Sequence, residues 1–182
     1  MIKNICIIED DKYENFLPLV YMRPVYDLRT GILTLREKIE HLFPFTNVFL
    51  QCRKYLEEKV RILNPGKHVN DLTDIDECLF INGRVVLNSK TVEKILKSGD
   101  AVYYAGGDYA GAKLSGKSFE KVKTDFNSLF NPTNFEDLDK IEIEAVMINY
   151  PWDLISKNSE QIINDFVFHK SEKKNINGKI YH

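Results

Sequence analysis

Short, nearly unbroken apolar runs alternate along this chain with longer stretches in which apolar residues return every three or four positions. Residues 2–8 (IKNICII) form a mostly β-branched run, the pattern of a strand buried on both faces of a parallel sheet. The run stops at Glu9, Asp10 and Asp11, the carboxyl edge where open α/β sheets hold their ligands. Residues 47–50, 78–81, 101–104 and 141–148 read as further strands, the second of these runs closing on Asn82-Gly83. Between them, Ile32, Leu35, Ile39 and Leu42 recur at helical spacing, with Arg36, Glu37, Lys38 and Glu40 on the wet face. Residues 53–60 make a charged helix, and Asn64-Pro65-Gly66 a turn. Ser89 can cap a helix carrying Val92, Ile95 and Leu96 and closed by Gly99, and Phe119, Val122 and Phe126 mark another. Residues 13–29 lack a period and contain Pro18 and Pro24, which predicts a long ordered loop over the strand ends. Strand and helix in alternation predict a three-layer α/β/α domain with a mostly parallel, Rossmann-like sheet.

Composition narrows the chemistry. Of 182 residues, 43% are hydrophobic and 12% aromatic, enough for a substantial core. The formal charge of -2 supplies no basic field for nucleic acid or an anionic membrane, so neither partner is expected, and any phosphate must be held by local groups. Three scattered cysteines, Cys6, Cys52 and Cys78, read as buried free thiols in a reducing cytoplasm. The four histidines share no ligand spacing with them, which argues against zinc. Residues 1–169 are expected to form one domain. Residues 170–182 (KSEKKNINGKIYH) read as a polar linker.

Three motifs carry candidate chemistry. Residues 111–118 (GAKLSGKS) spell the P-loop formula, in which Gly-rich amides and a Lys would wrap phosphate. The flanks disagree with it: Gly106-Gly107-Asp108-Tyr109 intervenes after the preceding strand, and the strand from Ile141 ends in Asn149 rather than a metal-binding Asp. An ordinary polar loop is therefore expected, and a P-loop phosphotransferase is the lesser alternative. Residues 149–155 (NYPWDLI) put Asp153 at a helix start after a strand, either as a first-turn carboxylate favoured by the helix dipole or as a ligand-edge carboxylate. Residues 14–38 collect Arg23, Arg29, Arg36 and Lys38 around Gly31. That is either a phosphate environment at a helix start or a solvated basic loop.

The opening segment IIEDDKYENFLPLVYMRPVYDLRTGILTLREKIE resembles the start of a family of sugar nucleotidyltransferase-like proteins. These resemble in turn the N-terminal half of the bifunctional UDP-N-acetylglucosamine pyrophosphorylase and glucosamine-1-phosphate acetyltransferase. CLFINGRVV and NYPWDL are similar to later motifs of the same group. The resemblance implies a nucleotide-diphospho-sugar transferase fold and magnesium-dependent transfer of a nucleotidyl group from a nucleoside triphosphate to a sugar 1-phosphate, releasing pyrophosphate. It implies Asp153 and Asn82 as magnesium ligands, and Arg23 and Asp153 as the catalytic pair. Arg23, Arg29, Gly31, Asn82 and Gly83 would contact nucleotide or sugar, and Asp10 and Asp11 would contact base or ribose, or hold the arginines. It also implies a left-handed β-helix after the linker, and through it a homo-oligomer. Two departures stand out. No Gly-x-Gly-Thr-Arg loop follows the first strand, and Asn82 stands where such enzymes carry a metal-binding Asp. They open the alternative of a ligand-binding or scaffold domain without turnover.

Overall fold

A computed structural model describes residues 2–126, 135 and 137–169 of the chain; the expected linker lies outside them. Among the described residues, seven strands form one sheet: β1 (Asn4–Ile8), β2 (Asn47–Leu50), β3 (His68–Val69), β4 (Glu77–Asn82), β6 (Ala101–Ala105), β7 (Asp108–Ser115) and β8 (Asp139–Glu142). Their order is β3-β2-β1-β4-β7-β6-β8, and β5 (Val85–Val86) pairs with β9 (Val146–Met147) in a second ribbon. The helices are α1 (Leu35–Leu42), α2 (Glu57–Leu63), α3 (Ser89–Lys97), α4 (Gly116–Asp125), α5 (Pro151–Ser156) and α6 (Asn158–Phe166).

Alternation along the central strands makes the layers, because successive side chains leave a strand on opposite faces. Ile5, Ile7, Leu79, Ile81 and Tyr103 pack with Ile39 of α1, Val60 of α2 and Ile95 of α3. Cys6, Ile8, Phe80, Val102 and Ala112 pack on the other face with Phe119 and Val122 of α4. A third cluster joins Phe16, Val20, Val25 and Leu28 of the long loop to Ile148 and Leu154, closing it over one end of the sheet. The expected three-layer, mostly parallel α/β fold is what forms.

Several details differ from expectation. The chain reads as one strand over 141–148 but makes two short ones, β8 and β9, that belong to different sheets. The cap of α3 is Asn88, whose side-chain oxygen accepts from Thr91 N at 2.9 Å, so Ser89 is already the first helical residue. That helix ends at Lys97 with Ser98 as its C-cap, and the expected Gly99 follows directly. The P-loop formula falls on β7, which runs antiparallel to both β4 and β6, and α4 follows Ser115 directly. No loop separates strand from helix there, and the Gly111 backbone is spent on the sheet. Gly is required at 111 because a Cβ would sit 2.4 Å from the Phe80 carbonyl oxygen. Lys117 is exposed.

All three cysteines are free and buried. Burial pushes the Cys6 and Cys78 thiols well above their usual range. Cys52 is pushed up to about 12, by burial first and then by the charges of Glu9 and Glu57. At pH 8 almost none of the Cys52 thiol is therefore ionised. We expect iodoacetamide to alkylate the native protein at least about 100-fold more slowly than the urea-unfolded chain. Comparable rates in the two states, measured by mass spectrometry, would show that the thiols are not sequestered.

Candidate functional site

The direction of winding reverses at β1: the chain proceeds outward through β2 and β3, then returns to place β4 on the other side of β1. The carboxyl ends of β1 and β4 therefore flank the topological switch point, where open sheets bind ligands. Asp10 leaves β1 there, and Asn82, Gly83 and Arg84 leave β4. Pro151 starts α5 close by, carrying Asn149 in ahead of it.

These residues form a continuous chain of hydrogen bonds. Arg84 meets Asp10 side-on, with Nε donating to Oδ1 at 2.9 Å and Nη2 to Oδ2 at 2.6 Å. Its Nη1 donates to the Ile148 carbonyl at 2.9 Å and to the Asn149 side-chain oxygen. Asn82 Nδ2 donates to Asp10 Oδ2 and to the Tyr109 carbonyl, both at 2.8 Å, while its Oδ1 accepts from Arg84 N at 3.0 Å. At the outer end Lys12 pairs with Asp108. Burial alone would raise the Asp108 carboxyl, but hydrogen bonds from Lys12 and Asn149 outweigh it and hold the group below its usual range. The network thus runs from a half-exposed ammonium at Lys12 to a fully buried amide at Asn82.

A second ion pair braces the first strand. Glu9, buried, accepts from Arg53 Nε at 3.1 Å and Nη2 at 3.2 Å, and from Val25 N at 2.9 Å. Arg53 Nη2 also reaches the carbonyls of Val20 and Arg23, tying the long loop to the carboxyl end of β1. Its guanidinium lies 4.2 Å from the Tyr13 ring centre.

The residues expected to bind ligand fall into three groups. Asp10, Asn82 and Gly83 sit at the switch point, but Asn82 is 0% exposed with its amide fully engaged. A Cβ at Gly83 would meet Tyr26 Cβ at 2.7 Å, so that glycine accommodates the long loop. Arg23, Arg29 and Asp11 are exposed, and neither guanidinium has an ion-pair partner among the described residues. Gly31 and Asp153 are taken up locally. Gly31 lies at φ +79° beneath α6, where a Cβ would be 2.5 Å from Asp165 Oδ2, and its N donates to Asn158. The next two amides, Ile32 and Leu33, donate to Asp165 at 2.8 and 3.1 Å, and Lys38 pairs with the same carboxylate. The expected phosphate cradle is filled by the chain's own carboxylate. Asp153 accepts from Asn149 N and Tyr150 N at 2.8 and 2.9 Å, the closing half of a capping box for α5.

Asn82 does not fit the expected role of a magnesium ligand, and Asp153 keeps only Oδ1 for one. The Asn82 oxygen is buried on a main-chain amide, and Asp153 spends Oδ2 on two backbone N–H groups. Among the described residues no group of three or more His, Cys, Asp or Glu is placed to hold a metal. A cleft at the opposite edge of the sheet is lined by Asn4, Glu77, Asp100 and Lys113. Its polar groups already pair with main chain, Asn4 with the Glu77 carbonyl and Lys113 with that of Ser98, so the strand exits remain the better site. Sequence reasoning missed Lys12, Arg84, Asp108 and Asn149. For Arg84 the signal was a lone charge directly after Asn82-Gly83, between two apolar strands.

Fold and switch-point polarity together define an open-sheet α/β protein with a buried polar network at its strand exits. The chain belongs to the sugar nucleotidyl transferase family, whose model matches residues 5–174. No curated protein matches it. Among solved structures it is similar to a Bacillus anthracis protein assigned as a glucose-1-phosphate thymidylyltransferase, at 13% identity and a TM-score of 0.57, over 89% of this chain and 96% of that one. It is also similar to the inositol-1-phosphate CTP transferase of T. maritima, at 10% identity and a TM-score of 0.54, over 90% of this chain and 96% of that one. At such identities these two likenesses establish the shared fold. No described helix is long and apolar enough to cross a membrane.

Proposed function

We propose that the crevice at the ends of β1 and β4 binds a nucleoside triphosphate and a sugar 1-phosphate and transfers the nucleotidyl group between them. A phosphate oxygen of the sugar 1-phosphate attacks the α-phosphorus and forms the new P–O bond. The α–β bridging bond breaks, and pyrophosphate departs with the electron pair. Such chemistry is accelerated mainly by positioning and charge neutralisation. The observation that carries the reading is the hydrogen-bonded chain from Lys12 to Asn82 at the switch point of a sheet belonging to this family. Lys12 faces the outer end of the crevice, and Arg23 and Arg29 are the exposed guanidiniums that serve the triphosphate. The three buried free thiols suit a reducing cytoplasm.

A second reading, binding without turnover, is favoured by Arg84, whose guanidinium is spent on the protein itself. The test is a panel of nucleoside triphosphates against hexose 1-phosphates, scored for pyrophosphate release and for melting temperature, since a ligand of the folded state raises it. Turnover with any pair supports transfer. Thermal shifts without pyrophosphate support binding alone, and neither signal ends both readings. Replacing Arg23 and Arg29 together by Ala is expected to weaken triphosphate binding by about 10- to 100-fold, each tenfold being about 1.4 kcal/mol. Unchanged affinity by calorimetry would remove both arginines from the site.

A further inference from the structure

Four oxygens ring one buried point at the strand exits: both carboxylate oxygens of Asp10, the side-chain oxygen of Asn149 and the carbonyl of Ile148. A carboxylate, an amide oxygen and a main-chain carbonyl form the kind of set that hard divalent cations take. Here the Arg84 guanidinium occupies that point. It is 1% exposed, and Nε, Nη1 and Nη2 all donate to the four oxygens. We propose that Arg84 is a resident cation that fills the position of a metal ion, so that this crevice takes no divalent cation of its own.

Charge and geometry support the assignment together. Guanidinium keeps its proton throughout the physiological range, so the charge needs neither metal supply nor a particular pH. The side-on pairing uses both oxygens of Asp10, leaving no lone carboxylate for a second cation, and any ion arriving beside Arg84 meets a like charge in a poorly screened place. Asn82 reinforces the arrangement by turning its NH2 toward Asp10 and its oxygen toward Arg84 N. Of the other carboxylates in the network, Asp108 pairs with Lys12, and Asp153 gives Oδ2 to the amides ahead of α5. The claim about the cation stands apart from the transfer reading. Only its consequence, that phosphate ligands are held without a protein-bound metal, rests on that reading.

Manganese is the probe, because its free ion gives an electron paramagnetic resonance signal that disappears on binding. With the ligand-free wild-type protein, millimolar manganese is expected to keep its free signal and to leave the melting temperature within error of a salt-matched control. Arg84→Ala opens an oxygen-lined space with Asp10 unpaired. That variant is expected to bind manganese at least tenfold more tightly than wild type, and to gain melting temperature from millimolar guanidinium ion, which wild type does not. Should Arg84→Ala fail to fold, Arg84→Gln keeps most of the buried stem and carries both readouts. Manganese binding by wild type that Asp10→Asn abolishes overturns the proposal. So does a folded Arg84 variant that neither binds manganese nor responds to guanidinium. Because no nucleotide is added, these results are independent of whether transfer occurs.

Discussion

Asp165→Asn is expected to destabilise the protein by about 3–5 kcal/mol, because it strands a buried ammonium. The side chains of Lys38 and Asp165 are 7% and 2% exposed, and the carboxylate also accepts from Ile32 and Leu33. The amide oxygen that the substitution introduces can still serve those two N–H groups, so the loss isolates the charge. Burial draws the Lys38 ammonium below its ordinary value of 10.5, while the hydrogen bond and charge of Asp165 push it back up. In the variant the lowering goes largely unopposed. The folded state then releases the proton at a pH where the unfolded chain still holds it, so stability rises with pH from the folded pKa up to about 10.5. Adding Lys38→Met should recover much of the loss, since a pair removed together leaves no orphan. Chemical denaturation of the two variants across pH decides the matter. A double variant no more stable than the single one would mean that the lysine is not sequestered.

Arg53→Met should cost a similar amount, about 3–5 kcal/mol, with the opposite dependence on pH. The Glu9 side chain is 0% exposed and loses the cation that pairs with it. Burial already raises the Glu9 carboxyl, and Arg53 is the leading influence that lowers it. Without Arg53 the folded carboxyl keeps its proton well above the ordinary value of 4.5, where the unfolded chain has lost it. The folded state binds the extra proton, so stability falls as pH rises through that window and the full cost remains above it. The carbonyls of Val20 and Arg23 also lose their donor, which loosens the loop carrying Arg23. Glu9→Gln in the same background should restore most of the stability near neutral pH. A flat pH profile for Arg53→Met would show that Glu9 finds another partner or water.

Much of this fold could be read along the chain because its central strands are apolar on both faces. Residues 2–8 and 78–81 announce themselves as buried parallel strands, and their polar exits, Asp10 and Asn82, do meet at the switch point. The strand β7 was hidden for a physical reason. Close packing against Phe80 requires Gly111, and Ala110 and Ala112 flank it, so the segment lacks the β-branched signature and happens to spell a phosphate-binding formula. The expected site was harder to read because pairing is non-local. Nothing near Arg84 reveals that its counter-ion lies 74 residues earlier, and nothing near Gly31 reveals a carboxylate arriving from α6. Basic residues that look free in the sequence, Arg36 and Lys38, are committed to Asp27 and Asp165.

The clasp between Asp165 and the turn ahead of α1 also bears on how the molecule is made. A ribosome emits the chain from its amino end, so the turn emerges long before the carboxylate that completes it, 127 residues later than Lys38. Until then the amides of Ile32 and Leu33 have only water to bond, and the Lys38 ammonium must stay solvated. The turn ahead of α1 therefore lacks its full set of partners until α6 has emerged. A message truncated just short of Asp165 yields every strand of the sheet described here, yet leaves the turn that α6 locks without its key.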